Sequence, residues 1–383
     1  MVDIRFDGTH RVRHPEETWT ILDRLRTSFG VTRIADVTGL DTLGIPVALA
    51  VRPAARTRTV APGGGTSPLL ARVAAAMAAV ERWHAEYACP AAGPQHAPAA
   101  GLQLPYDVRE LPQQPGGLLG RHTPLDWVPA DDAVTGAASW VPRDCVALDD
   151  EADGTWRPPM LRTTAAGLAG GNSYDEAVSH ALYELIERRS TAALDAVPAQ
   201  ERAYVDPASV GDPVCAALLE RIEESGTRVR IEYVHNDWDL PCFTAHLWSW
   251  EFPVPAYGSG AHSSPTVALQ RALTEAARDR LAELTGAHEE LRPDSAAPGE
   301  PAGRRVTWTE LCCVFPRPPG FAEDTQERLW LARRIAGVAG RPPLVVDLST
   351  RPEFSVVKVV APGLGDLTRG PDGIRAPEPE AAP

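Results

Sequence analysis

The pattern of apolar and polar positions over residues 16–29 is helical, and short β-branched runs at 34–37 and 45–52 read as strands. Gly39 and Gly44 punctuate them, and Pro62-Gly63-Gly64-Gly65 reads as a tight loop. Thr66-Ser67-Pro68 then offers a capping hydroxyl and a proline suited to the first helical turn, opening an alanine- and leucine-rich helix over 68–87. Residues 88–160 lose periodicity, are rich in Pro, Gly and Ala, and are expected to wrap the surface or form a loosely structured insertion. Helical spacing returns at 173–194, 264–285 and 323–339, with strand-like runs at 228–233, 242–250, 343–348 and 354–360. A linker-like stretch covers 286–305, and the chain closes on a Pro- and Glu-rich tail. Helices and strands mix without a regular βαβ period, so the expected class is α+β.

Composition changes this picture little. Apolar residues make up 44% and charged residues 23% of 383, as in a soluble globular protein forming one large domain or two ordinary ones. No apolar run approaches the ~18 residues of a membrane span, and the mixed-charge N-terminus lacks the apolar centre of a signal peptide. A cytoplasmic protein without membrane contact is expected. The net charge of −14 argues against a nucleic-acid surface but leaves room for a nucleotide pocket, where a few local cations suffice. Six scattered cysteines fit neither a disulfide framework nor a zinc site.

Candidate chemistry concentrates at 167–188. Gly167-Leu168-Ala169-Gly170-Gly171 reads as a glycine-rich turn into a helix, with Asn172 or Ser173 as N-cap and Glu176 at the capping-box position. Such a helix start turns the chain and can also face an anion. Glu184, Glu187 and Arg188 project from one side of the helix, and Glu176 lies two turns back, displaced by about 80°. The cluster is either a solvated ion-paired face or a pair of carboxylates holding Mg2+ beside a phosphate-binding arginine. Arg271 and Glu275, one helical turn apart, pose the same choice between an ion pair and a nucleotide site.

The string GLAGGNSYDEAVSHALYELIER resembles the signature of the YcaO family. Asp36-Val37-Thr38-Gly39-Leu40 with Gly44-Ile45-Pro46-Val47 is similar to the N-terminal region of stand-alone members, especially those accompanying TfuA proteins. Trp140-Val141-Pro142, residues 258–262, Arg271 with Glu275, and Pro362-Gly363-Leu364 follow in the family's order, so the likeness runs from about residue 15 to 365. The resemblance implies several mixed α/β subdomains around an ATP-binding cleft. Residues 1–60 would be the N-terminal part and 61–365 the ATP-binding core, followed by a disordered tail over 366–383.

It further implies Mg2+ and ATP as cofactors and phosphorylation of a peptide amide oxygen in a ribosomal precursor peptide. Attack by a Cys, Ser or Thr side chain, a sulfide source or an amine would then yield an azoline, a thioamide or an amidine. By motif, Asn172 and Glu176 would contact nucleotide or metal, Glu81, Glu184 and Glu187 would bind Mg2+, and Arg188 would hold phosphate. Arg271 and Glu275 would complete the site. A TfuA-like protein, another YcaO protein or a second copy in a homodimer are the partners it admits.

The first ATP-binding segment departs from the family. Gly64 stands where the family shows a lysine, Ala75 where it shows a serine, and Ala78 where it shows a glutamate; Glu81 survives. A degenerate YcaO that binds a peptide or an active paralogue without catalysis is the competing expectation. The tail holds Pro377 and Pro379 but Ala381 breaks the proline-rich pattern of azoline-forming members.

Overall fold

Ser67 caps the helix that Pro68 opens: its Oγ accepts from the Leu70 N–H at 3.3 Å, and the chain stays helical to Tyr87. The computed structural model describes residues 4–6, 9–90, 93–114, 116–148, 160–194, 196–287, 299, 302–316 and 320–365. The chain begins with β1 (Ile4–Phe6), β2 (Thr9–Arg11), α1 (Pro15–Leu25), β3 (Arg33–Asp36), β4 (Val47–Val51), β5 (Val60–Gly64) and α2 (Pro68–Tyr87). There follow β6 (Ala97–Pro98), β7 (Pro124–Leu125), β8 (Trp127–Asp132), β9 (Ala138–Pro142), β10 (Leu168–Gly171) and α3 (Tyr174–Leu194). Next are β11 (Ala203–Val205), α4 (Pro213–Glu224), β12 (Arg228–Tyr233), β13 (Cys242–Trp248), β14 (Ala256–Ala261) and α5 (Pro265–Leu284). The last are β15 (Arg304–Val306), α6 (Trp308–Val314), α7 (Asp324–Ala339), β16 (Leu344–Asp347) and β17 (Ser355–Val360).

Three sheets carry the architecture, and the α+β class read from the sequence holds. One has the order β3-β4-β5, one β10-β17-β16-β8-β9, and one β14-β13-β12-β11-β15. All pairings in them are antiparallel except β11 with β15. Each sheet receives one long helix: α2 lies on β4 and β5, α3 on β10 and β17, and α5 on β13 and β14. Each helix buries an apolar face on its sheet, and α2 also packs Ala76 and Val80 against Leu168 and Val356 of the second sheet. Ala71, Ala75 and Ala79 of α2 meet Ala48, Ala50 and Ala61; Ala177, Leu182 and Ile186 of α3 meet Val357, Val359 and Leu331 of α7. Leu269, Leu273 and Ala276 of α5 pack with Phe243, Ala245 and Ile222. Among the described residues no helix is long and apolar enough to cross a membrane.

The long helices and β12 fall where periodicity placed them, within a residue or two. The glycine segments do not. Residues 62–65 are not a loop: β5 runs through Gly64, paired with Val47 of β4. Glycine is needed there for close approach, since a Cβ on Gly63 would stand 2.1 Å from Ala75 N. Likewise Leu168–Gly171 is strand β10, paired with β17, and only Gly167 has the left-handed φ of a turn residue. The Pro/Gly-rich stretch is also no loose wrapping over 124–142. It supplies β8 and β9, and Trp127, Val128 and Val141 are fully buried in the core beside Leu344 and Val356. Residues 366–383, and most of 286–305, lie outside the described residues.

Candidate functional site

Helices α2, α3 and α5 turn one face each toward a common cleft of about 450 Å³, with β5, β10 and the N-terminal segment around it. Seven of the eight residues singled out by sequence line it: Glu81, Asn172, Glu176, Glu184, Arg188, Arg271 and Glu275. Glu187 stands just behind, nearly buried, and touches the lining through Arg271 at 3.5 Å. These side chains face a cleft rather than bulk water.

Each carboxylate is held by the backbone or by an arginine. Glu81 Oε1 accepts from the Gly170 N–H at 2.6 Å, and Glu184 Oε2 from the Gly167 N–H at 3.1 Å. Arg188 Nε donates to the other Glu184 oxygen at 2.8 Å. Glu187 accepts from Ser259 Oγ at 2.6 Å. Glu275 accepts from the Ser259 N–H at 3.3 Å and from Arg278 Nη2 at 2.5 Å. The capping box is half formed: Ser173 Oγ accepts from the Glu176 N–H at 3.1 Å, but the Glu176 side chain turns elsewhere. It takes the Asn172 N–H at 3.2 Å, the Val12 N–H at 3.0 Å and Arg11 Nη1 at 3.2 Å. Thr18 Oγ1 donates to Asn172 Oδ1 at 2.8 Å, so Asn172 and Glu176 tie the N-terminal segment to the mouth of the cleft.

Burial sets the electrostatics. It raises the Glu81 carboxyl from 4.5 to about 7, with the charge of Glu184 adding to the effect. It does the same for Glu187, again to about 7, where Glu275 is the like charge. His180 and His262, both on the cleft, are pushed well below the ordinary imidazole range by burial and nearby cations. Ser179 Oγ, His180 Nδ1 and Gln270 Oε1 are buried on the cleft lining with no protein partner. A polar, carboxylate-rich interior of this kind is costly by itself and is relieved by a cation and by ligand donors.

The donor set fits Mg2+ shared with phosphate. Among the described residues no group of three His, Cys, Asp or Glu side chains could hold a metal alone. Mg2+ normally takes one or two carboxylates plus substrate phosphate oxygens and water, and the cleft offers carboxylates beside arginines. The departures noted in the sequence differ in weight. Ala75 is fully buried against β5 and does not line the cleft, whereas Gly64 and Ala78 do.

With that geometry established, comparison with known proteins is decisive. The family described as YcaO cyclodehydratase, ATP- and Mg2+-binding, matches residues 62–365. The chain belongs to it. An uncharacterized protein of Mycobacterium tuberculosis is 38% identical over 98% of this chain and 86% of its own length. An uncharacterized protein from the tfuA 3′ region of Rhizobium leguminosarum bv. trifolii is 32% identical over 94% of this chain and 89% of its own length. The structure of YcaO from Methanopyrus kandleri bound with AMPPCP and Mg2+ superposes with a TM-score of 0.73 over the whole of both chains at 23% identity, a likeness of fold. ATP and Mg2+ are thus the cofactors of this YcaO chain, as its motif implied.

Sequence reading missed several residues of the cleft. His180 lies one turn from both Glu176 and Glu184, and Arg278 lies three residues beyond Glu275, so helical spacing alone could have found both. Arg11 and Arg82 have no such signal and were visible only in three dimensions.

Proposed function

We propose that this YcaO protein uses Mg2+ and ATP to phosphorylate the oxygen of a backbone amide in a ribosomally made precursor peptide. The observation that carries the reading is the convergence of Glu81, Glu184, Arg188 and Arg271 on one cleft, with buried carboxylates that call for a cation. An amide is a poor electrophile, and the bound nucleotide supplies the phosphoryl group that turns its oxygen into a leaving group. Glu81, Glu184 and Glu187 would offer oxygen ligands for Mg2+, and Arg271 would hold phosphate. Arg188, which the structure pairs with Glu184, would be the second phosphate ligand. Asn172, Glu176 and Glu275 complete the nucleotide's surroundings. Leu70, Val73 and Met77 form an apolar wall that strengthens these contacts by excluding water.

The tfuA setting of one relative and the N-terminal similarity favour a thioamide product and a TfuA-like partner, over azoline or amidine formation. The protein is proposed to act in the cytoplasm. Gly64 and Ala78, which bring no charge to the lining, support a second reading: a degenerate member that binds peptide or pairs with an active YcaO protein.

Calorimetric titration of the purified chain with Mg2+ and ATP tests the site, and saturable binding is expected. Absence of binding overturns the catalytic reading. Peptide-dependent ADP release, followed by mass spectrometry for sulfur-for-oxygen exchange or water loss, then separates catalysis from the second reading. Binding without ADP release in the presence of the cognate peptide and partner would leave only the degenerate member.

A further inference from the structure

The glycine side of the cleft has no room for a side chain. A Cβ at position 64 would lie 2.6 Å from the Thr274 carbonyl oxygen and 3.2 Å from the Arg278 Cβ, so β5 rests directly on α5. The first of these atoms is backbone and cannot swing away. No cation can therefore be carried by residue 64 itself. Nor can a lysine supply one from elsewhere: the chain has a single lysine, Lys358. It is 3% exposed in β17, donates to the Thr164 carbonyl and does not line the cleft. The basic side chains on the lining are arginines and three histidines, His10, His180 and His262, and burial holds His180 and His262 neutral.

The group abutting the glycine strand is Arg278. Arg271, Glu275 and Arg278 follow one another at four and three residues along α5, which puts all three on the stripe facing the cleft. Glu275 is anchored to β14 through the Ser259 N–H and holds Arg278 Nη2 with its other oxygen at 2.5 Å. The arginine head is thus positioned by a carboxylate that is itself fixed to a strand. Its side chain remains 28% exposed, enough to meet a ligand in the cleft.

We propose that Arg278, oriented by Glu275 and emerging where Gly64 leaves no side chain, binds the polyphosphate of the nucleotide. The assignment rests on the nucleotide reading above and adds to it the cation on the β5 side. A guanidinium suits this place because it can contact phosphate oxygens while keeping one N–H on a carboxylate.

The test is titration of the full-length chain with Mg2+ and ATP, Mg2+ and ADP, and AMP, for wild type, Arg278→Ala and Arg278→Lys. Arg278→Ala should weaken the triphosphate by about 10-fold or more, as expected for losing a charged hydrogen bond. It should leave AMP within about twofold, and Arg278→Lys should fall between wild type and alanine. Equal weakening of AMP and ATP, or an alanine variant that binds ATP like wild type, overturns the assignment while the nucleotide site stands. A wild-type chain that binds none of the three overturns both. The unfolding midpoints of the variants, measured beside the titrations, show whether a lost affinity reflects a lost fold, and the lysine variant keeps the comparison open if alanine unfolds.

Discussion

A buried glutamate that has no metal pays for its position in stability, and Glu81 states the sign of that effect. Its pKa is raised from 4.5 to about 7, so the folded state resists ionising it. The cost is absent below the unfolded value, grows as pH climbs from the unfolded to the folded value, and is complete above it. Glu81→Gln keeps an oxygen for the Gly170 N–H and removes the charge. In Mg2+-free buffer the variant should therefore melt higher than wild type at about pH 8, with the advantage shrinking toward about pH 5. The same variant should lose Mg2+-dependent ATP binding. Melting curves across that range, paired with titration, check both halves. A glutamine variant that is less stable at high pH would show that Glu81 is held mainly by its hydrogen bond. Residues of this kind were legible in sequence as a family motif, whereas their protonation was not, because desolvation belongs to the folded cleft.

At the scale of elements, the glycines explain what the sequence misstated. Glycine usually punctuates a chain, so Gly63, Gly64, Gly170 and Gly171 suggest turns. In β5 and β10 they instead let strands lie against helices, and the backbone stays extended. Periodicity recognises helices such as α2 and α5 from their length and alanine content, but a strand made of glycine has no side-chain alternation to reveal it. The stretch at 124–142 was misread for a related reason: Pro124, Pro129 and Pro142 mark strand ends and an exposed strand position, while Trp127 and Val141 fill the core. Gly64→Ala tests the close approach. Its methyl would meet the Thr274 carbonyl at 2.6 Å, forcing β5 and α5 apart at a cost of ~1–3 kcal/mol. A lowered unfolding midpoint, with weaker ATP binding because the same movement displaces Arg278, is the expected result. An alanine variant as stable as wild type would mean that β5 and α5 are not pressed together.

The whole molecule places its chemistry where faces of three long helices meet. Helix α2 belongs to the apolar set under β3–β5 and, through Ala76 and Val80, to the core with β8, β16 and β17; α3 belongs to the set shared with α7 and β17, and α5 to the set under β12–β14. The lining is supplied jointly, so the carboxylates and arginines are brought together by packing far from the cleft and not by local sequence. That is why motifs spaced over some two hundred residues of chain could be read as one family while their contacts, such as Arg271 with Glu187 or Gly170 with Glu81, could not. A ligand that touches all three helices ties α2, α3 and α5 to one another across the cleft. Mg2+ with ATP at about 100 times its dissociation constant should then stabilise the fold by ~2.7 kcal/mol. Hydrogen exchange should slow together over 68–82, 170–188 and 259–278, since each segment gains contacts in the same event. Protection confined to one segment would show that the nucleotide rests on a single helix, and the shared cleft would then need a different occupant.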